Sequence, residues 1–467
     1  MKLSVALLAL GLACAAQAAP TVDPGIPESL SIQGSVDILI TFRDYQTASI
    51  RNRFKHLSFN SRTNLIQSFY ATLKSHADAT QKNVLALLNQ SRTTSDIKIR
   101  QLWLTNKIIV KKADSTLIDS LASMPEIDTI TRDRLITTLK PIDAVDASPR
   151  VGEQWGVALL DAPSVWADGN SGNGTVIANI DTGVRGTHEA LRDGLRSVNS
   201  WYDPAQGTKV PTDDNGHGTH TMGTICGRAN GIGVAPGAQW IACRGCARGG
   251  GCYQFDLEEC AQWIVCPTDE EGNNPRCDLA PNAVSNSWGG GQDEKWYDPY
   301  IDSWITAGIA ALFANGNDGP GCRSANSPAD SIIEPIAVGA TTSIDEVASF
   351  SSIGPTIRYR RFKPDISAPG EGVYSSLHSS DTAYGTGSGT SMACPHAAGL
   401  TALLYSARPS LTHRQIADLL IAGAQPTKSS ERECLGISDT VFPNYQAGYG
   451  RISARASIDE LNRWTKA

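Results

Sequence analysis

Three short segments bring together residue types that can cut a bond by nucleophilic attack. Ile180-Asp181-Thr182-Gly183 ends an apolar, strand-like run. Asn215-Gly216-His217-Gly218-Thr219-His220 opens a helix-like run. Gly387-Ser388-Gly389-Thr390-Ser391 is a glycine-rich turn that delivers a serine to the start of a further helix. A serine hydroxyl is a weak nucleophile at neutral pH. It needs a base within hydrogen-bond reach, and the base needs a carboxylate to fix its tautomer and stabilise its charged form. Asp181, His217 and Ser391 supply one of each. The glycines around Ser391 let a substrate backbone come close, and the helix start offers N–H groups to a developing oxyanion. Pro395 is acceptable because it falls in the first helical turn. A fourth segment, Ala314-Asn315-Gly316-Asn317-Asp318, follows the strand-like AALF and offers a side-chain amide to the same oxyanion.

Other chemistries fit less well. Asp-Thr-Gly also marks the pepsin-like aspartic proteases, but those need two such motifs so that two carboxylates share one proton, and this chain has one. His217 and His220 stand three apart without the glutamate of a zinc-binding helix. His220 and His396 therefore read as packed structural residues. Cys394 reads as a buried thiol or a disulfide partner. Asp318, beside the expected specificity pocket, is either a carboxylate that favours a basic substrate side chain or a solvated rim charge.

These residues need a scaffold. From Trp155 onward, apolar runs (TVIANI, QWIAC, NAVSNS, AALFA, PIAVGA) alternate with helix-like ones. That predicts an α/β fold, a mainly parallel sheet with helices on both faces, and such sheets collect ligands at strand carboxyl ends. Ahead of it, VDILITF (36–42) reads as a strand and 61–90 as one long helix. IKIRQLWL and KIIVKKA read as two more strands. A short helix from Asp114, its cap, to Met124 and a last strand, EIDTITRD, complete the order βαββαβ. This is the pattern of a small α+β, ferredoxin-like domain. The boundary falls around LKPIDAVDASPRVGEQ, rich in Pro, Asp and Ser, within a range of about 134 to 150.

The composition narrows the function further. The chain has 467 residues, 47 acids, 40 bases and 11 cysteines, with a formal charge of −7. That charge argues against a nucleic-acid binder. Residues 19–149 carry 16 bases and 13 acids, whereas 150–467 carry 23 and 34. Opposite signs favour docking of the two parts. Lys2, the apolar run Leu3 to Ala13 and Ala16-Gln17-Ala18 form a secretory signal cut near Ala18. No later run is long enough to span a membrane. Cleavage removes Cys14 and leaves ten cysteines, from Cys226 to Cys434, in an oxidising compartment. Disulfides are expected there over a zinc site at Cys243 and Cys246, which no second C-x-x-C or histidine pair completes. Asn89-Gln90-Ser91 and Asn173-Gly174-Thr175 are glycosylation sequons.

The blocks ANIDTGV, NGHGTHTMGT, SNSWGG, ANGND and GTSMACPHAAG stand in the order found in the subtilisin-like serine proteases, or subtilases. From about Trp155 to its end the chain resembles that family. WGVALLDAPSVW and GIGVAPGAQWIA suggest its bacillopeptidase-like members. The resemblance implies that Asp181 orients the base, His217 is the general base, Ser391 is the nucleophile and Asn317 donates to the oxyanion. Losing one such donor costs ~10²–10³ in rate, a figure that comes from within the family. Ser287, Trp288 and Gly289 match one wall of a cleft in which substrate lies as an added strand. Gly249, Gly250 and Gly251 match the opposite wall, and Gly316 borders the specificity pocket.

The N-terminal part resembles the family's inhibitory propeptide, which assists folding, is cut off by the enzyme and leaves its tail in the cleft. The implied organisation is a signal (1–18), a propeptide (19–148) and a catalytic domain (149–467). The implied product is a secreted, extracellular, monomeric serine endopeptidase acting on proteins and peptides, with no nucleic-acid or membrane partner. The family's calcium loop after the catalytic histidine is shortened here, so no cofactor is required and any structural calcium would lie elsewhere. Only 76 residues follow Ser391, too few for the extra β-domain of furin-like convertases. A catalytically inactive, peptide-binding homologue is the other class, and the intact residue set favours the enzyme.

Overall fold

The computed structural model describes residues 19–44, 46–93, 96–138, 140, 150, 152–247 and 249–464. The expected signal (1–18) and residues 139 and 141–149 of the expected boundary lie outside the described residues. The chain divides into two compact units. The smaller takes residues up to Asp44 together with 77–101 and 106–132, and the larger takes 45–76, 102–105 and everything from Asp133.

The first elements in chain order are β1 (Thr21–Val22), α1 (Ile26–Gln33), β2 (Val36–Phe42), α2 (Gln46–Phe54) and α3 (Arg62–Thr80). They are followed by α4 (Lys82–Ser91), β3 (Lys98–Leu102), β4 (Lys107–Ala113), α5 (Ser115–Ala122) and β5 (Ile127–Arg132). The smaller unit's sheet has the order β1-β5-β2-β4-β3. Its centre, β2, pairs antiparallel with both β4 and β5, so that Ile40 faces Ile108 on one side and Ile130 on the other. Ile38, Ile40, Val84, Leu88, Ile108, Val110, Leu121 and Ile130 form its core. Asp114 caps α5 as expected, accepting from the Leu117 N–H at 2.8 Å.

The long helix expected over 61–90 is two helices. The break is Gln81, whose buried amide donates to Asn106 Oδ1 at 2.8 Å and to Lys107 O at 3.3 Å. Those side-chain bonds hold a bend that no glycine or proline announces. β1, α1 and α2 are additions to the expected order.

The larger unit continues with β6 (Leu135–Thr138), α6 (Trp155–Leu159), α7 (Ala162–Ala167), β7 (Val176–Asp181), β8 (Trp201–Tyr202) and α8 (His217–Cys226). Next come β9 (Gln239–Arg244), β10 (Gly251–Tyr253), α9 (Gln254–Val265), β11 (Ala283–Asn286), α10 (Asp298–Thr306) and β12 (Ala310–Ala314). β13 (Ile336–Thr341), β14 (Ile366–Pro369), β15 (Val373–Ser376), β16 (Tyr384–Gly387), α11 (Thr390–Ala407), α12 (His413–Ala422), the short β17 (Glu433–Cys434) and β18 (Ile437–Ser438), and α13 (Ala454–Trp464) follow.

Seven strands form one parallel sheet in the order β14-β13-β12-β11-β7-β9-β8. From β7 the chain fills the sheet toward β8, and from β11 it fills it toward β14. The order therefore reverses between β7 and β11, where Ile180 is in register with Asn286. Connections diverge at such a point and leave a crevice at the carboxyl ends. α11 is buried from Thr390 to Tyr405 and packs against β11, β12, β13 and β14. Among the described residues no helix is long and apolar enough to cross a membrane.

Among the described residues four disulfides link Cys243–Cys260, Cys246–Cys252, Cys266–Cys277 and Cys322–Cys434. Cys226 and Cys394 are buried thiols. The disulfide cluster thus starts at Cys243 rather than Cys226, which ends α8 with its sulfur 3.7 Å from that of Met222. Burial pushes both thiols up to about 12. The segment after α8, residues 227–234, carries no carboxylate, and Arg228 donates there to Asp193 O and Ala238 O.

Candidate active site

Asp181 ends β7, and Ser287 follows β11, so the two lie on either side of the strand-order reversal. His217 begins α8. The glycines beside it have a packing reason. Gly216 holds φ at +102°, and a Cβ on Gly218 would stand 2.0 Å from the Gly183 carbonyl oxygen. Only glycines let α8 start this close to the Asp181 turn.

Asp181 is buried and accepts on both oxygens. Oδ1 takes the Thr182 N–H at 2.8 Å and His217 Nδ1–H at 2.8 Å, and Oδ2 takes the Thr221 hydroxyl at 3.2 Å. This bond fixes the imidazole tautomer, with the proton on Nδ1 and Nε2 left as an acceptor. Burial opposes a charge on His217. The Asp181 charge and hydrogen bond, with Asp213 behind them, outweigh burial and raise its pKa above 6.5.

Asp213 was not expected from the sequence. Its buried carboxylate gathers the N–H groups of Asn215 (3.0 Å), Gly216 (2.9 Å) and Thr219 (3.0 Å), together with the hydroxyls of Thr219 and Thr182. It holds the start of α8, where orphan N–H groups and the helix dipole both favour an anion. The Asp-Asp-Asn-Gly run before His217 carries the capping residue types that could have revealed it.

Ser391 lies in the first turn of α11, where its N–H has no intrahelical partner. Its hydroxyl donates to the Ser287 carbonyl at 3.0 Å rather than to the imidazole. Ser391 and His217 nevertheless line the same open cavity of about 810 Å³. Catalytic hydrogen bonds are often unformed without substrate. Asn317 lines this cavity too. Its Oδ1 accepts from the Thr390 N–H (2.8 Å) and hydroxyl (2.9 Å), which reserves Nδ2 as a donor beside Ser391.

His220 and His396 are packed residues. His220 Nε2 donates to Val373 O at 3.0 Å, and His396 Nδ1 donates to Met392 O at 2.8 Å. Burial holds both neutral, at about 3 and about 4. Cys394 Sγ lies 3.5 Å from Ser285 Oγ beneath the site.

Ser287, Trp288, Gly289 and Gly316 line the cavity. The Trp288 ring points away, edge-on to Tyr297 (5.0 Å) and Phe313 (5.6 Å), so its backbone is what faces the cleft. Opposite, β10 begins at Gly251, and Gly249 and Gly250 form its turn, closed by Cys246–Cys252.

A strand already lies along this wall. β6 pairs antiparallel with β10, with Thr138 opposite Gly251 and Thr137 opposite Cys252. On the other side, a Cβ on Gly290 would stand 2.6 Å from the Ile136 carbonyl oxygen. Arg134 holds Gln254 at 2.7 Å and pairs with Glu294, and the Asp133 carboxylate accepts the Phe255 N–H at the start of α9. Lys140 and Thr137 line the cavity with Ser391. Among the described residues no group of three or more metal-binding side chains converges.

A buried Asp–His pair, a serine at a helix start and an amide donor, set at the reversal point of a parallel sheet, define the class. Residues 172–450, more than half of the chain, match the Subtilase family, and the chain belongs to it. Among particular relatives, Bacillopeptidase F of Bacillus subtilis strain 168 is 35% identical over 426 residues, covering 84% of this chain and 28% of that protein. A cuticle-degrading serine protease of Arthrobotrys oligospora is 31% identical over 301 residues, covering 63% of this chain and 66% of that protein. Subtilisin E of Bacillus subtilis strain 168 is 32% identical over 273 residues, covering 57% and 64%. The chain thus spans less than two thirds of the length of each.

Proposed function

We propose that this chain is a secreted, monomeric serine endopeptidase, made as a precursor that cuts itself. The observation that carries this reading is the 2.8 Å Asp181–His217 bond in the cavity that also holds Ser391 and Asn317. Ser391 Oγ leaves the Ser287 carbonyl, turns to His217 Nε2 and attacks a peptide carbonyl. His217 takes its proton. Asn317 Nδ2 and the Ser391 N–H receive the oxyanion. As the C–N bond breaks, His217 gives the proton to the leaving amine. Water then enters, His217 deprotonates it, and attack on the acyl-serine releases the acid and restores the hydroxyl. The reading uses no cofactor.

β6 supports the self-cleavage part. It occupies the wall where a substrate strand would add, and Lys140 lines the cavity beside Ser391, so we place the cut close to Lys140. Residues ahead of the cut act as folding aid and inhibitor, and residues 1–18 direct export.

The test is Ser391→Ala. It abolishes casein cleavage and leaves the chain full-length after signal removal, while the wild type is labelled on Ser391 by a phosphonofluoridate. A mutant that still matures alone overturns self-cleavage. A folded, mature wild type that takes no label overturns the enzyme reading in favour of an inactive, peptide-binding homologue. N-terminal sequencing of the secreted product locates the cut.

A further inference from the structure

Arg62, the first residue of α3, sets its guanidinium among four main-chain carbonyls of the larger unit. Nε donates to Ala307 O at 3.2 Å and Gly308 O at 3.1 Å, Nη1 to Ala280 O at 3.2 Å, and Nη2 to Pro281 O. Ala307 and Gly308 close α10, where the last carbonyls lack helical partners and carry the negative end of the helix dipole. Ala280 and Pro281 lead into β11. Among the described residues no carboxylate is a partner of Arg62, and the cation is held by four backbone dipoles.

Geometry makes this socket selective. Four acceptors from two separate turns match the planar fork of a guanidinium, with its five N–H donors. An ammonium is a compact point charge and cannot reach all four. The Arg62 stem lies against Gly308, where a Cβ would stand 3.4 Å from Nε. Burial brings the guanidinium down only to about 10, so it stays charged at neutral pH. Two further cations of the same segment fall on α10: Arg51 and Lys55 pair with Asp302 at 3.6 and 2.5 Å.

The socket is remote from the chemistry. Tyr405, whose buried hydroxyl has no hydrogen-bond partner, lies within electrostatic reach of Arg62. It stands fourteen residues along α11 from Ser391, which at 1.5 Å per residue is about 20 Å.

We propose that the carbonyls of Ala280, Pro281, Ala307 and Gly308 form an exosite for an arginine side chain, filled in this chain by Arg62. Through it the 45–76 segment stays attached after the chain is cut near Lys140. The retention half rests on the self-cleavage reading, and the exosite half does not.

The first arm of the test uses the full chain carrying Ser391→Ala, so that it stays uncut. Hydrogen exchange of 62–76 is compared in Arg62→Ala and Arg62→Lys, with amides of α11 as the report on global folding. Arg62→Ala speeds exchange of 62–76 at least tenfold while α11 stays protected. Ethylguanidinium restores protection, ethylammonium does not, and Arg62→Lys behaves as Arg62→Ala. Wild-type protection in either variant, or equal rescue by both cations, overturns the exosite. If Arg62→Ala fails to fold, Arg62→Lys alone decides, because a lysine that protects 62–76 fully rules out an arginine-specific site.

The second arm uses wild-type chain after maturation. The N-terminal fragment co-elutes with the catalytic part on gel filtration, and l-arginine releases it faster than l-lysine at equal ionic strength. Equal release overturns retention through the exosite. Absence of any cut overturns self-cleavage and leaves the exchange result standing.

Discussion

Ser287 and Ser391 exchange two hydrogen bonds: the Ser391 hydroxyl donates to the Ser287 carbonyl at 3.0 Å, and the Ser287 hydroxyl donates to the Ser391 carbonyl at 2.9 Å. The second bond has a cause further along α11. Pro395 lies inside this helix, past the first turn where it was expected, so the N–H that residue 395 would normally donate to the carbonyl of residue 391 is missing. Ser287 supplies the missing donor and so ties the start of α11, with the proposed nucleophile, to the cleft wall.

Replacing Ser287 by Ala therefore frees a buried carbonyl at the nucleophile itself. The expected loss is ~1 kcal/mol of stability. The nucleophile shifts by a fraction of the 1 Å that costs ~10²-fold, so kcat falls about tenfold with KM little changed. Pro395→Ala restores an N–H to the same carbonyl. The double variant should lose less than the two single losses added, by at least ~0.5 kcal/mol in unfolding titrations. Strict additivity would show that the two positions do not share this carbonyl.

The raised pKa of His217 bears on the pH dependence. With the neutral imidazole as the base, as proposed above, activity should fall as pH drops through a value above 6.5. Asp181→Asn removes the main raising cause and moves that limb to lower pH, besides lowering kcat by the ~10⁴ that a wrong tautomer costs. Stability runs the other way. A group whose folded pKa is raised stabilises fully below its unfolded value, and that contribution is lost as pH rises through the folded value. A pH–rate profile alongside pH-dependent unfolding checks both signs, and an Asp181→Asn limb that stays in place contradicts the assignment.

What was legible in the sequence was local. Asp181, His217 and Ser391 stand beside glycines whose need can be argued from the turn itself, as at Gly218. The parallel sheet showed because runs such as AALFA are apolar without alternation and prove buried throughout. What was not legible depends on partners far along the chain. Arg62 looks like any basic residue at a helix start, and its four acceptors lie 218 to 246 residues away. The break at Gln81 follows from its amide reaching Asn106 rather than from a breaker residue. Cys226 counts as one of ten cysteines, yet nothing in its spacing says that it faces Met222 instead of another cysteine.

Asp213 gives the sharpest check on how α8 is held. Asp213→Asn keeps the shape and removes a charge that serves three N–H groups and two hydroxyls. Charge-assisted bonds of this kind are worth ~1.5–3 kcal/mol, so a loss of about 2 kcal/mol is expected. Because Asp213 also helps to raise His217, the acid limb should move to lower pH, by less than in Asp181→Asn. Denaturant unfolding and the pH–rate profile measure the two effects separately. Unchanged stability would mean that the dipole and backbone alone organise the start of α8.

Asp318 resolves the choice left open by its position. Its side chain lines the cavity, but it is exposed and accepts from Asn326 Nδ2 at 2.9 Å. A carboxylate in water is screened, and such charges contribute about 1 kcal/mol or less to a pairing. Asp318→Asn should therefore change the ratio of kcat/KM for peptides with lysine against leucine before the scissile bond by less than about fivefold. Any change should shrink further in high salt, because solvent-exposed charges are screened there. A drop above tenfold that persists in salt would make Asp318 a desolvated specificity carboxylate instead of a rim charge.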